Sequence, residues 1–334
     1  MPAATPAPAS PLPTWWSRRP PAAGASVMAT GILSVALHQT GHAILSRIAL
    51  ALACVAWLAL ACDFLARLLW HRSAWVRAAV TPVSLCTVAA TAVLGTRFAA
   101  AGRQTLAEAL LALAFALWPG LLYVVVRHWR HGMPGSVFLG CVATQGLAVL
   151  AATLAATAQV AWLAHAALVL FWLGLLLYAV AWTRFDRREV VRGPGDHWVA
   201  GGALAISALA GARLLAADGP VPNLWNDDDF TALRTVTYAL VALDMAWFVV
   251  LLAAEIARPR PRYDVRRWST VFPMGMSAAA MLSVSATLDV PWLEVPGEVL
   301  LWIAVAVWVA VAAGAVRHHL ADGPPAGVTS RARR

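Results

Sequence analysis

Runs of about 20 apolar residues follow one another along the chain, interrupted by short clusters of Arg, Pro, Gly or Asp. A helix of about that length crosses a hydrocarbon layer of roughly 30 Å, so the pattern predicts an all-α integral membrane protein. Ten spans are expected, near residues 24–41, 44–70, 77–97, 105–129, 135–157, 160–183, 197–217, 231–257, 268–288 and 298–316. Residues 1–23, rich in Pro and Ala and without the apolar core of a signal peptide, read as a disordered cytoplasmic tail. Residues 24–316 then form the transmembrane domain, and 317–334 a second cytoplasmic tail.

The spans are of two kinds. Those in odd positions hold 20 Ser and Thr residues and those in even positions hold 6, whereas Trp57, Trp70, Trp118, Trp129, Trp162, Trp172, Trp182, Trp247, Trp302 and Trp308 all fall in even spans. The odd spans have only Trp198 and Trp268, both at their starts. Leu- and Trp-rich helices face lipid without cost, while hydroxyl- and Gly-rich helices belong against protein or water. Five helical hairpins are therefore expected, with odd helices forming an inner ring around a central path and even helices an outer ring.

Polar residues of the inner set recur on helix faces. Ser26, Thr30 and Ser34 are spaced by four, and Ser84, Thr87 and Thr91 follow an i, i+3, i+7 stripe. Thr144 and Gln145 sit in mid-span, as do Ser207 beside Gly201, Gly202 and Gly211, and Thr270, Ser277 and Ser283 in the ninth span. These residues are candidates to line the path; the alternative for each is a small packing residue bonded to its own i−4 carbonyl. Pro82, and Pro273 with Gly275, are candidate kinks of inner helices, and Pro119 interrupts an outer one.

Composition supports lipid as the solvent: 61% of residues are hydrophobic and 12% charged. The formal net charge of +9 comes with 25 basic residues, all Arg, scattered in short clusters between apolar runs. That distribution argues for membrane topology and against a nucleic-acid partner. With both termini cytoplasmic, 20 of the 25 arginines fall inside, including Arg72, Arg77, Arg260, Arg262, Arg331, Arg333 and Arg334, while Arg18 and Arg19 join Trp15 and Trp16 at the headgroups. Arg47, Arg97, Arg103, Arg213 and Arg234 remain outside, where Asp218, Asp227, Asp228, Asp229, Asp289 and Glu294 also fall. The expected location is the cytoplasmic membrane. Cys54, Cys62, Cys86 and Cys141 lie within apolar runs at spacings that suit neither a disulfide framework nor a metal pair.

Charges at membrane depth are costly and mark candidate sites. Arg213, about a turn from the outer end of the seventh span, is a candidate for attracting an anion; snorkelling to the headgroups is the alternative, and it also accounts for Arg97. Asp244, in mid-span of the eighth, is a candidate proton relay or a hydrogen-bonded structural carboxyl. Enzyme chemistry has little to stand on: HExxH, Walker and GxSxG signatures are missing, His38, His42, His71, His128, His131, His197, His318 and His319 fall at span ends, and only His165 reads as buried. No metal or other cofactor is expected.

The stretch RWSTVFPMGMSAAAMLSVSATL, Arg267 to Leu288, resembles the ninth helix of the tellurite-resistance/dicarboxylate transporter and slow-type anion channel family. ASVMATGILSVAL (Ala25 to Leu37), CTVAATAVLGTRFA (Cys86 to Ala99) and VATQGLAVLAATLA (Val142 to Ala155) support the likeness. The resemblance implies ten helices in five hairpins, a homotrimer with one pore per protomer, and small inorganic or organic anions as substrates. It also implies that a ninth-helix phenylalanine plugs the pore, and Phe272 stands at the matching position; from the residues alone Phe272 is a packing aromatic. Passive channel and proton-coupled C4-dicarboxylate, sulfite or tellurite-related carrier both remain open.

Overall fold

The structure, a computed structural model, describes residues 24–70, 76, 78–193, 195–221, 224–259 and 263–321. The tail expected at 1–23, His71, and Arg18, Arg19, Arg72, Arg77, Arg260, Arg262, Arg331, Arg333 and Arg334 of the arginine pattern lie outside the described residues.

Ten long helices run through the described residues: α1 Gly24–Gln39, α2 Ala43–Trp70, α3 Cys86–Ala100, α4 Gln104–Arg127, α5 Leu139–Ala158, α6 Ala161–Arg184, α7 Val199–Ala216, α8 Asp227–Ala257, α9 Trp268–Leu288 and α10 Glu294–Ala321. The protein is thus all-α. Nine of these segments are long and apolar enough to cross a membrane. The exception is α1, which has 16 residues and a length of about 24 Å. At the other end α10 continues to Ala321, beyond the boundary expected at residue 316.

Successive helices pack as hairpins. Tight turns close four of them, using left-handed backbone at Gly41 (φ 77°), Gly102 (φ 73°), Gln159 (φ 55°) and Asp289 (φ 52°). At the opposite end, 3₁₀ turns Pro82–Leu85, Gly135–Phe138, Asp196–Trp198 and Val265–Arg267 lead into α3, α5, α7 and α9. Pro82 corrects one expectation here. It opens the 3₁₀ turn, where its missing N–H is no loss, and so starts the helical segment without kinking it. Pro273 and Pro119 do lie inside α9 and α4.

The two compositional classes differ in burial. The most apolar window of α2 is 6% buried and that of α10 17%, against 94% for α5 and 89% for α7. Side chains such as Leu58, Val169, Trp162 and Val249 stand exposed on the even helices, at no cost where the surrounding solvent is hydrocarbon. Among the odd helices, α1 packs on α3, α3 on α5, α5 on α7, α7 on α9, and α9 back on α1.

Candidate functional site

Each odd helix turns one face toward the centre of that group, and the sequence spacing explains how. Residues three or seven apart share a helix face, and the pairs Ile32/Val35, Val93/Thr96, Gly146/Val149 and Ile206/Leu209 take the same step on α1, α3, α5 and α7. Together with Met276 of α9 they border a cavity of about 10 Å³. One or two turns nearer the helix starts, the same faces present Met28, Cys86, Leu139, Val199 and Phe272 around a larger cavity of about 80 Å³. Its polar groups come from the 3₁₀ turns and the start of α9: Ser136, Asp196, Arg266 and Ser269.

Phe272 borders the larger cavity and lies four residues before Met276, which borders the smaller. Its ring is 1% exposed. Gly202 of α7 makes room for it, because a Cβ there would stand 3.1 Å from Phe272 Cε1 and 3.0 Å from Pro273 Cγ. Pro273 in turn withholds the N–H that would bond the Ser269 carbonyl, and Ser269 is itself a cavity residue.

The hydroxyls singled out in the sequence stand elsewhere. Neither cavity is bordered by Thr30, Ser34, Thr87, Thr91, Thr144, Gln145, Ser207, Ser277 or Ser283. Thr30, Thr91 and Thr144 each accept an indole N–H from an even helix, namely Trp308, Trp57 and Trp118, at 2.9 Å. Each also donates to its own i−4 carbonyl, that of Ser26, Thr87 or Gly140. Ser34 exchanges bonds with Ser46 of α2, each hydroxyl donating to the other's carbonyl at 2.7 Å. Gln145 donates to the Phe171 carbonyl of α6 at 3.0 Å, over Gly174, where a Cβ would lie 2.6 Å from its amide nitrogen. Ser207 donates to the Ala203 carbonyl, and Ser277 to Asp244 of α8 at 3.2 Å. Most of these polar side chains therefore fasten inner helix to outer helix, and the central faces are largely apolar.

The charged candidates fall into distinct settings. Asp244 is 2% exposed, with Ser277 Oγ on its carboxylate. Arg213 is partly exposed, and its Nη2 lies 3.4 Å from Ser283 Oγ. Arg97 corrects the snorkelling expectation: it is 4% exposed and turns inward, donating from Nε to Ser46 Oγ at 3.0 Å. The histidines also change places. His165 is exposed, its ring bonded to the Ala161 carbonyl, whereas His197 is the buried histidine among the described residues. The 3₁₀ turn Asp196–Trp198 draws His197 under the α7 start, a placement that span-end counting has no means of detecting.

Sequence reading missed Gln39 altogether. It lies four residues beyond Val35 and seven beyond Ile32, on the same face of α1, and donates to Ser283 Oγ at 2.6 Å. The clue was available in that spacing.

Over 139 residues the chain is 33% identical to uncharacterized membrane proteins of two Mycobacterium tuberculosis strains, CDC 1551 / Oshkosh and H37Rv. The match takes in 37% of this chain and 64% of each relative, so the chain spans less than two thirds of their length. The family model described as voltage-dependent anion channel matches residues 18–316, nearly the whole chain. A multi-pass, all-α membrane protein whose odd helices border two cavities, it belongs to the voltage-dependent anion channel family.

Proposed function

We propose that the chain is an anion-selective channel or exporter whose path runs between α1, α3, α5, α7 and α9, closed by the Phe272 ring. The observation that carries this reading is the alignment of one face from each of the five helices around two cavities, with Phe272 bordering the larger and Met276, one turn on along α9, bordering the smaller. All ten helices cross the membrane in this reading, α1 included; its low exposure suits an inner position where protein and not lipid sets the length. The odd helices are the inner ring and the even helices the jacket. An apolar constriction stops ions by withholding water, and an aromatic ring seals it further. Arg213 beyond the narrow cavity gives the path its preference for anions.

The wider assignment is a homotrimer in the cytoplasmic membrane, with lipid on the even helices and both termini in the cytoplasm. The expected result is that Phe272→Ala raises anion conductance in reconstituted bilayers severalfold or more. Unchanged current through a well-folded protein would exclude the ring as the gate.

The second reading, a proton-coupled carrier of C4-dicarboxylates or of sulfite- or tellurite-related anions, draws on Asp244. Its carboxylate is buried against Ser277, five residues along α9 from Phe272, so a proton gained or lost there acts on the helix that bears the ring. The measurement is anion-driven proton uptake into proteoliposomes with a pH reporter. This reading requires uptake in the wild type and its loss in Asp244→Asn, and absence of coupling in the wild type leaves the channel.

A further inference from the structure

Three odd helices bring polar side chains together at the end of the path where α1 and α9 finish. Ser283 of α9 is the hub: Gln39 of α1 donates to its Oγ at 2.6 Å, and Arg213 of α7 approaches it with Nη2 at 3.4 Å. Two atoms of this trio, Arg213 Nε and Gln39 Oε1, are shielded from solvent and have no hydrogen-bond partner. No carboxylate pairs with Arg213 among the described residues. A guanidinium nitrogen shielded from water and given no acceptor is costly to keep. The arrangement makes sense when something anionic supplies the acceptors.

The trio also lies in register with the path. Gln39 is four residues beyond Val35, Arg213 four beyond Leu209, and Ser283 seven beyond Met276, so each continues the face that borders the narrow cavity. Nε–H and Nη2–H form the side-on edge of a guanidinium, the edge that takes two oxygens of one carboxylate or oxyanion in parallel hydrogen bonds. One of those donors is vacant and the other is held only at 3.4 Å. Gln39 adds either face of its amide, since the terminal N and O exchange by a simple flip.

We propose that Arg213, Ser283 and Gln39 form an oxyanion-binding site at the far mouth of the path, selective for ions that present two oxygens to the Nε–Nη2 edge, such as nitrate and simple carboxylates, over spherical halides. The proposal deepens the channel reading and rests on its central path. A halide meets both donors of the fork from a single point, with bent bonds, whereas an oxyanion gives each donor its own oxygen in a straight bond and can accept further from Ser283 and the Gln39 amide. Ions arriving from that side are thus sorted before they reach the apolar constriction.

The test uses the full chain purified in detergent, with thermal unfolding followed in parallel titrations of sodium nitrate, sodium formate and sodium chloride, matched in ionic strength, into the same low-salt zwitterionic buffer. Nitrate and formate are expected to raise the midpoint at lower concentration than chloride. Arg213→Lys, which keeps the charge and loses the fork, should abolish that preference, and Ser283→Ala should raise the half-saturating nitrate concentration by roughly tenfold, the usual weight of a charge-assisted hydrogen bond. Should Arg213→Lys fail to fold, Gln39→Leu provides the second arm and is expected to weaken nitrate binding more than chloride binding. Equal response of the wild type to chloride and nitrate, or an unaltered preference in folded Arg213→Lys and Gln39→Leu, overturns the site. Reversal potentials in bilayers separate this from the channel reading: a chain that binds nitrate through Arg213 but passes no anion current, even as Phe272→Ala, keeps the site and loses the channel.

Discussion

At the level of single residues, the polar groups in this protein mostly answer a shortage of hydrogen-bond partners. An indole N–H in hydrocarbon has no water to bond, and in α2, α4 and α10 it is met by a threonine on the inner helix of another hairpin: Thr91, Thr144 and Thr30. The threonine accepts without giving up its own donation to the i−4 carbonyl. These bonds tie α2 to α3, α4 to α5 and α10 to α1, contacts between hairpins that the connecting turns on the other side do not make. Replacing Trp308 by Phe keeps the apolar bulk and removes only the donor, so its cost measures the bond. The loss should be about 0.5–1.5 kcal/mol, seen as a lower unfolding midpoint in detergent, and Thr30→Val in the same background should add little because the partner is already gone.

At the level of helices, the alternation of hydroxyl-rich and tryptophan-rich spans was legible in the sequence because burial follows composition in lipid. Which face of an inner helix meets the centre was not. Ser34 and Ile32 both sit on α1, yet Ser34 bonds Ser46 of α2 while Ile32 borders the central cavity. A hydroxyl stripe signals protein contact without saying which protein surface, and here the surface is the jacket. The apolar residues around the constriction look in sequence like any others in a hydrophobic run, until the three-residue step shared by α1, α3, α5 and α7 is noticed. Gly202 was picked out only as a small residue beside Ser207, whereas its position decides how close α7 comes to Phe272. Adding a single methyl there brings a carbon to 3.1 Å from the ring and 3.0 Å from Pro273, closer than ordinary packing allows. Gly202→Ala is therefore expected to displace the ring and raise anion current over wild type, and to have a much smaller effect when Phe272 is already alanine and only the Pro273 contact is left. Additive effects of the two substitutions would disconnect Gly202 from the ring.

At the level of the whole molecule, the remaining question is which way the helices face, and the cysteines make it answerable. Cys86 and Cys141 are buried among the odd helices, and Cys54 and the exposed Cys62 sit within α2; labelling by a charged, membrane-impermeant thiol reagent is read in a chain with all four replaced by alanine. An introduced cysteine thus reports against a quiet background. Gly219, in the connection from α7 to α8, is exposed and a Cβ there meets nothing within 4 Å; Arg188, in the connection from α6 to α7, is exposed as well. The two loops lie at opposite ends of α7. The basic cluster Arg184, Arg187, Arg188 and Arg192 should hold its loop in the cytoplasm, and Asp227, Asp228 and Asp229 at the start of α8 carry no such bias. In intact cells the reagent is expected to label Gly219→Cys and to spare Arg188→Cys until the membrane is opened. The reverse result would turn the molecule over, placing the larger cavity with Arg266 and Asp196 toward the outside and Arg213 toward the cytoplasm, so that the proposed oxyanion site would sort ions on exit from the cell instead of on entry.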